Sequence, residues 1–248
     1  MIYSNAKPTS KTIKMSNDII FVLQILAGLT FILIAFRIGF HWLLALIAVQ
    51  AVLMNIFVLK TMDLFTLEAV TGGNVLYASI FLGTDMICEH IGAKKARQAV
   101  WLGFFASLFF VVMSQFIIWY VPSSFPDSIM MHESLKGIFE LAPRIMFASM
   151  LAYLVSQNLD ILIFNWIKKL TKKKHLWLRN NASTMVSQLI DTVIFTFVGL
   201  YGTIATAENV WTIVLFTYII KVIVAVLDTP FIYLSKLKAF QPKKTNLK

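Results

Sequence analysis

The sequence predicts an all-α, polytopic integral membrane protein, and three observations lead to that fold class. Apolar residue types make up 58% of the 248 residues, charged residues only 14%, and the mean hydropathy is +0.77. Soluble domains carry about 25% charged residues, so this composition excludes a soluble enzyme and a disordered chain. Apolar runs of helical length recur, without the alternation typical of a membrane barrel. The single cysteine, Cys88, excludes a disulfide-stapled domain and a Cys-cluster metal site.

Seven segments are apolar enough over a sufficient length to span a bilayer. They are residues 19–36, 42–59, 74–90, 99–121, 141–167, 183–201 and 210–233. The first segment is not expected to be a cleaved signal peptide, because it starts late, is too long and lacks a small-residue cleavage pattern. Only a few residues around Gly39 separate it from the second segment, which predicts a tight helical hairpin.

These segments give the predicted organisation of the chain. We predict an N-terminal tail over residues 1–18, an extra hydrophobic helix over 19–36, a six-helix transmembrane core over 42–234 and a basic tail over 235–248. The connections are short apart from residues 122–140, which leaves no room for a soluble catalytic or nucleotide-binding domain. The chain also has no GxxxxGK[ST] motif, so ATP binding by a P-loop is excluded.

The net charge of +10 is interpreted as a topology signal rather than as a nucleic-acid surface. One set of alternate loops holds most of the 22 lysines and arginines and no acidic residue: Arg37, Lys94, Lys95, Arg97, Lys168, Lys169, Lys172, Lys173, Lys174, Arg179, Lys236, Lys238, Lys243, Lys244 and Lys248. Because basic loops stay in the cytoplasm, the C-terminus is predicted to be cytoplasmic. Seven spans place the N-terminus outside. Six spans with a non-spanning first segment would place it inside.

Several polar residues fall inside the third and second segments, where a charge is costly. Asp85 and Glu89 are four residues apart and share a helix face, so a neighbouring cation or a bound proton is expected. Asn55 lies within the second segment.

The last three segments carry more polar residues. Arg144 stands near one end of the fifth segment, where it could also act as an interface anchor. Gln157 and Asp160 follow on one face of that segment. In the sixth segment Gln188 and Asp191 continue a polar stripe that begins at residue 180.

Lys221 lies in the middle of the seventh segment and needs a partner, for which Asp191, Asp85 and Glu89 are the candidates. We predict that it pairs with Asp191, because the sixth and seventh segments are consecutive and antiparallel and the depths of the two residues differ by only ~6 Å. Asp228 lies seven residues further along the same face. These polar residues could be interhelical contacts in a structural bundle. Intramembrane charges on four helices instead favour a cavity for a polar solute. We expect Asp85, Glu89, Gln157, Asp160, Gln188, Asp191 and Lys221 to face one central cavity.

An intramembrane enzyme is not supported by the sequence. The histidines His41, His90, His132 and His175 all lie at segment ends or in loops, and a serine protease needs a histidine base inside the bilayer. His132 and Glu133 begin an HExxH motif, but Lys136 occupies the position of the second histidine. No catalytic residue, metal or cofactor is therefore expected.

Five stretches resemble the bacterial queuosine-precursor transporters, which are also called the vitamin uptake transporter family. In order along the chain they are NIFVLKTMDLF (55–65), GNVLYASIFLGTDMICEHIGAKKARQAVWLGFF (73–105), PRIMFASMLAYLVSQNLDILIFNWIKK (143–169), HLWLRNNASTMVSQLIDTVIFTFVGLYG (175–202) and TYIIKVIVAVLDTPFIYL (217–234). The resemblance is to the longer form with an extra N-terminal hydrophobic segment.

This resemblance implies import of 7-deazaguanine bases such as preQ0, preQ1 and sometimes queuine, which are used to make queuosine in tRNA. It also implies a location in the cell (inner) membrane and a fold similar to the six-helix substrate-binding subunits of energy-coupling-factor transporters. Family members are treated as working without the coupling ATPases. The partners implied are thus a small-molecule base and the bilayer, and no nucleic acid.

The residue chemistry agrees with such a base. A carboxylate can accept the adjacent ring N–H and exocyclic amine of a 7-deazaguanine, and Asp85, Glu89 or Asp191 could serve. Donors to the base carbonyl could come from Asn55, Gln157, Gln188 or Lys221, and the predicted binding set also includes Arg144 and Asp160. Aromatic walls for the flat ring could come from Phe57, Phe81, Phe147, Tyr153 and Phe195.

Two other functions remain open from the sequence. The chain could be the substrate-binding subunit of an energy-coupling-factor importer for another vitamin-like compound, with its ATPase in trans. It could instead be a structural membrane protein. The particular precursor, the coupling ion or ATPase and the oligomeric state do not follow from the sequence.

Overall fold

The computed structural model describes residues 16–65, 67–139, 143–202 and 205–242. Its helices are α1 (Asn17–Ile38), α2 (Phe40–Phe57), α3 (Asn74–His90), α4 (Ala93–Trp119), α5 (Pro126–Phe139), α6 (Pro143–Leu170), α7 (Leu176–Phe195) and α8 (Val210–Leu234). Two strands, β1 (Thr61–Leu64) and β2 (Leu67–Thr71), lie between α2 and α3. A π-helical segment (Thr196–Leu200) continues α7, and a 3₁₀ turn (Lys238–Phe240) follows α8. Most of the predicted N-terminal tail, the start of the fifth predicted segment at residue 141 and the end of the basic tail from Lys243 lie outside the described residues.

The prediction of an all-α, multi-pass membrane protein is confirmed. Within the described residues, six helices are long and apolar enough to cross a membrane: α1, α2, α4, α6, α7 with its π-helical segment, and α8. The third predicted segment has the expected bounds, but at 17 residues it is shorter than these six. Nearly all of α3 is buried, because it packs against α1, α2, α4, α6 and α8. A helix surrounded by other helices needs no apolar surface for lipid, which explains its lower apolar content.

The extra N-terminal helix is an integral part of this bundle. The predicted tight hairpin is present, since Gly39 alone separates α1 from α2 and adopts a φ of 154°, a value that favours glycine. At the start of α1 the Ser16 hydroxyl accepts a hydrogen bond from the Ile19 N–H at 3.4 Å. Gly28 lets α1 approach α3 closely, because a Cβ there would lie 2.5 Å from Ser79 Oγ. The helix therefore packs on the helix that carries Asp85.

Two elements were absent from the sequence prediction. The connection after α2 is an antiparallel hairpin in which Thr61 pairs with Thr71 and Met62 with Val70. The predicted loop over residues 122–140 contains α5, an amphipathic helix that touches α4 through the rings of Phe139 and Phe110, 5.8 Å apart. Both elements lie at the same end of the bundle, opposite the tight turn between α1 and α2. We name it the hairpin end, after the β-hairpin.

The sixth predicted segment started too late. The structure begins α7 at Leu176 rather than at residue 183. Its first two turns carry Arg179 and Asn180, which hydropathy assigns to a loop. Both side chains are buried against other helices instead of facing lipid. The fourth predicted segment also started too late, since α4 begins at Ala93, with its first turn outside the apolar run.

Candidate functional site

A cavity of about 710 Å³ opens among the helices at the hairpin end. Its walls come from the end of α2, the hairpin, the first halves of α3, α6 and α8, and the π-helical segment. The end of α5 also contributes, through Gly137 and Ile138. Small-molecule sites usually enclose about 300–1,000 Å³, so the cavity has the volume of a ligand site.

Two opposite charges face this cavity. Asp191 of α7 and Lys221 of α8 form an ion pair through Asp191 Oδ2, as the sequence predicted. The other oxygen, Oδ1, accepts hydrogen bonds from the Tyr77 hydroxyl and from Ser156 Oγ, the latter at 3.3 Å. The Lys221 ammonium also lies 5.0 Å from the centre of the Tyr77 ring. We call Tyr77, Ser156, Asp191 and Lys221 the cavity layer.

Arg144 lines the same cavity but points its guanidinium at backbone. Its Nε donates to the carbonyl of Val198 at 2.8 Å, and its Nη2 donates to that of Tyr201 at 2.6 Å. These carbonyls belong to the last turn of the π-helical segment and the residue after it. Arg144 therefore holds the end of that segment against α6. π-helical turns often occur at functional sites.

A further polar side chain at the cavity is that of Asn74, at the start of α3. It lines the cavity, and its Nδ2 has no hydrogen-bond partner among the described residues. Of the predicted aromatic walls, Phe195 lines the cavity, and Phe216 of α8 joins it. Phe147 is instead 63% exposed on the outside of the bundle. The other predicted aromatics, Phe57, Phe81 and Tyr153, are also absent from the lining.

A second polar layer lies deeper in the bundle and is enclosed. Asp85, Asp160 and Asp228 come together there from α3, α6 and α8. Asp160 accepts hydrogen bonds from Ser187 at 3.1 Å and from Thr184 at 3.3 Å. We call Asp85, Asp160 and Asp228 the acidic layer. The cation expected beside Asp85 is not there, since none of the three forms an ion pair within the described part of the chain.

The two predicted glutamines accompany these layers without reaching the cavity lining. Gln157 accepts a hydrogen bond from Thr84 at 3.0 Å, beside Asp85, and its Nε2 has no partner among the residues described. Gln188 lies on α7 between the hydroxyls around Asp160 and Asp191, and it is almost completely buried.

A third layer lies at the end of the bundle opposite the cavity. Glu89 receives two hydrogen bonds from Arg179, at 2.7 and 3.2 Å, and forms ion pairs with Lys168 at 3.2 Å and Lys236 at 2.8 Å. The Arg179 guanidinium is fully buried and also lies 5.6 Å from the Phe164 ring centre. We call Glu89 and its three cations the basic layer. The cations expected beside Asp85 and Glu89 thus all belong to Glu89.

Asn55 lies outside all three layers. Its Nδ2 donates to the Ala51 carbonyl of its own helix at 2.8 Å, and it does not line the cavity. The expected single cavity is therefore corrected. Of the predicted binding residues, only Asp191, Lys221 and Arg144 line it. Asp85 and Asp160 lie in the acidic layer, with Gln157 beside them. Glu89 lies in the basic layer. Their roles in binding stay predictions.

Sequence reasoning missed Tyr77 and Arg179 as parts of these layers and Asn74 as part of the cavity wall. Tyr77 and Asp85 are eight residues apart, about two helical turns, so a polar face on α3 extends from the cavity layer to the acidic layer. That spacing could have indicated Tyr77. Asn74 and Arg179 lie at helix ends, where a polar residue carries no such signal. Within the described residues no group of three or more His, Cys, Asp or Glu side chains could hold a metal ion.

Comparison with known proteins identifies the class. The family described as "Putative vitamin uptake transporter" matches residues 71–235. The chain is 40% identical over 187 residues to a Bacillus subtilis (strain 168) protein named "Probable queuosine precursor transporter", which covers 73% of this chain and 78% of that protein. The chain belongs to the vitamin uptake transporter family.

Two more relatives support that membership. A "Queuosine precursor transporter" of Escherichia coli (strain K12) is 30% identical over 164 residues, 63% of this chain and 67% of that protein. A "Probable queuosine precursor transporter" of Haemophilus influenzae (strain ATCC 51907 / DSM 11121 / KW20 / Rd) is 30% identical over 131 residues, 53% and 52% of the two chains.

Membership of the vitamin uptake transporter family makes the protein a multi-pass membrane transporter for a small molecule. The expectation that it is not an enzyme fits that role. The family match begins within β2, so it includes all three polar layers apart from Lys236 and leaves out α1 and α2. No solved structure matches the chain significantly. The likeness to energy-coupling-factor subunits therefore stays a prediction.

Proposed function

We propose that the protein imports queuosine precursors, 7-deazaguanine bases such as preQ0, preQ1 or queuine, across the cell (inner) membrane. The observation that carries the proposal is the 40% identity to the Bacillus subtilis protein named "Probable queuosine precursor transporter". The cavity supports it, because the matched region supplies a buried carboxylate and a cation on the wall of a space of about 710 Å³. The imported base then enters the synthesis of queuosine in tRNA.

The proposed binding mode uses the cavity layer. Of the three acids that could accept the N–H and amine of the base, Asp191 is the one on the cavity wall. Its oxygens are occupied by Lys221, Tyr77 and Ser156. The two base donors take the places of Tyr77 and Lys221, and the released ammonium donates to the base carbonyl. The released Tyr77 hydroxyl donates to Ser156 Oγ, which lies 2.7 Å away. This exchange leaves each buried polar group paired, which keeps its free-energy cost small. Phe195 and Phe216 face the ring.

The proposed orientation places the C-terminus and residues 168–174 in the cytoplasm. The basic loops lie at the end of the bundle opposite the cavity, and basic loops are retained in the cytoplasm. The cavity then opens to the outside, as an importer requires for its first step. The basic layer around Glu89 lies at the cytoplasmic end.

The test uses a bacterium that lacks its own precursor importer and cannot synthesise preQ0. The chain is expressed there, preQ0, preQ1 and queuine are supplied separately, and queuosine is measured in tRNA. We expect queuosine to appear with at least one precursor. We expect the Asp191→Asn variant to abolish it and the Asp127→Asn variant, on the exposed face of α5, to leave it unchanged.

Two results would contradict the proposal. The absence of queuosine with every precursor, despite normal amounts of protein in the membrane, would exclude this substrate class. Co-purification of the chain with a coupling ATPase, together with binding of another vitamin-like compound, would instead indicate an energy-coupling-factor subunit.

A further inference from the structure

The acidic layer is the feature of this bundle that the proposed binding mode does not use. Asp85, Asp160 and Asp228 are each about 99–100% buried and come from three different helices. The carboxyl groups of Asp85 and Asp160 face each other within hydrogen-bonding reach, and Asp228 lies near enough to interact with both through its charge. Two carboxylates in such contact cannot both be ionised without a cation, because their repulsion is not screened by water.

The donors available do not match the acceptors in this layer. Both oxygens of Asp85, Oδ2 of Asp160 and Oδ1 of Asn180 have no hydrogen-bond partner among the described residues. The Asn180 side chain is 99% buried and directed into the layer, since its Nδ2 donates to Asp228 Oδ1 at 2.7 Å. In the part of the chain that the structure describes, only Gln157, beside Thr84, has a spare buried donor nearby. Buried acceptors without donors are costly, so this layer favours the binding of an additional proton.

We infer that the acidic layer is the coupling site of the transporter and that it binds a proton shared between Asp85 and Asp160. A shared proton supplies the missing donor and removes one of the two charges. A metal ion fits less well, because the described residues contain no group of acids arranged to hold one. Asp228, which accepts a hydrogen bond from Asn180, forms the third side of the site. Intramembrane carboxylates of proton-driven transporters have this role.

The charges around the layer leave this proton site without a competing cation. On α3, Cys88 lies one turn from Asp85, and on α6 Asn165 and Lys168 follow Asp160. Lys168 and Arg179 are bound by Glu89 in the basic layer, and Lys221 is bound by Asp191 in the cavity layer. Each of these cations is thus already engaged in an ion pair with a carboxylate outside the acidic layer.

The position of the site links it to the substrate. On α3 the acidic layer lies about 12 Å beyond Tyr77 and about 6 Å before Glu89, at 1.5 Å per residue. Asp160 and Ser156 are four residues apart on α6, and Ser156 bonds Asp191. We expect the proton and the base to be released together towards the end of the bundle that holds Glu89. This coupling rests on the proposed function, in which the base occupies the cavity layer.

The first test measures coupling in proteoliposomes that contain the purified full-length protein and radiolabelled preQ0. The membrane potential is clamped at zero with potassium and valinomycin. For one proton per base, an inward gradient of about one pH unit supports about tenfold accumulation. We expect this accumulation with a pH gradient and none with a sodium gradient. In Asp85→Asn and Asp160→Asn, the exchange of internal for external preQ0 should continue. The internal concentration of preQ0 should no longer rise above the external one. The Asp127→Asn variant is the matched control, because its carboxylate is exposed on α5.

The second test does not depend on transport. Infrared spectra of the purified protein at neutral pH should contain a protonated carboxyl band that shifts in D₂O. The band should be missing from Asp85→Asn and present in Asp127→Asn. If Asp85→Asn fails to fold, as judged by size-exclusion chromatography, Asp160→Asn provides the same comparison.

The outcomes separate the two proposals. A band without any movement of preQ0, preQ1 or queuine would overturn the proposed substrate and retain the proton site. Accumulation driven by sodium, full pH-driven accumulation by Asp85→Asn, or the absence of the band would each overturn the proton site. Normal exchange in those cases would leave the proposed substrate intact.

Discussion

The ion pair of Asp191 and Lys221 gives the sharpest prediction about stability. Both side chains are nearly buried, and each provides the other's charge compensation. Removing one member of a buried pair costs about 3–5 kcal/mol, because the remaining charge is left without a partner. We therefore expect both Asp191→Asn and Lys221→Met to lower the free energy of unfolding by an amount in this range.

The two single changes should not be equal. In Lys221→Met, Asp191 keeps the hydroxyls of Tyr77 and Ser156, and a hydrogen bond to a charged group contributes about 1.5–3 kcal/mol. In Asp191→Asn, the Lys221 charge keeps the Tyr77 ring at 5.0 Å and a neutral amide oxygen, but no negative charge to compensate it among the described residues. The loss should thus be close to 3 kcal/mol for Lys221→Met and larger for Asp191→Asn. The double variant should be more stable than the sum of these losses predicts, by at least about 1.5 kcal/mol.

The assay is a double-mutant cycle of reversible unfolding in mixed micelles, with preQ0 uptake measured in parallel. A pair of exposed changes, Asp127→Asn and Lys94→Met, is the control and should cost less than about 0.5 kcal/mol. Losses that add to within about 0.5 kcal/mol would show that Asp191 and Lys221 are independent and would refute the reasoning. Full uptake by the double variant would remove both residues from the binding site.

Three further predictions follow from the remaining layers and contacts. Glu89→Gln should lower the free energy of unfolding by about 3–5 kcal/mol, because it leaves the fully buried Arg179 without a charge partner. The Lys236 side chain is 39% exposed, so Lys236→Gln should lower it by less than about 1 kcal/mol in the same assay. Gly103→Ala should cost about 1–3 kcal/mol, because its Cβ would collide with the Tyr153 hydroxyl; Tyr153→Phe should restore part of the loss, and Gly137→Ala, with open space around its Cβ, is the control. A cysteine in place of Lys172 should react with impermeant maleimide only in inside-out vesicles, and the native Cys88 is buried and should give little background; labelling in intact cells would reverse the proposed orientation.

The positions of most membrane helices followed from the sequence, because a bilayer requires about 20 apolar residues in succession. The same reasoning singled out the polar residues inside those helices, since an intramembrane charge is expensive wherever it lies. It also predicted the Asp191–Lys221 pair, because the two helices are consecutive and the two depths are similar. It failed at Arg179 and Asn180, which are polar residues at the start of a helix that the tertiary structure buries.

Tertiary structure decided which polar residues meet. Asp85 and Glu89 share a helix face, but Glu89 takes three cations from α6, α7 and the chain after α8, whereas Asp85 faces another acid on α6. These partners are separated by about 70–150 positions in the chain, and their meeting depends on the rotation and depth of each helix, which hydropathy does not determine. The β-hairpin and the π-helical segment depend in the same way on contacts made by the folded bundle, such as those of Arg144 with the carbonyls of Val198 and Tyr201. The sequence thus determined that charges lie inside the membrane, and the packing of the helices decided that they form three separate layers.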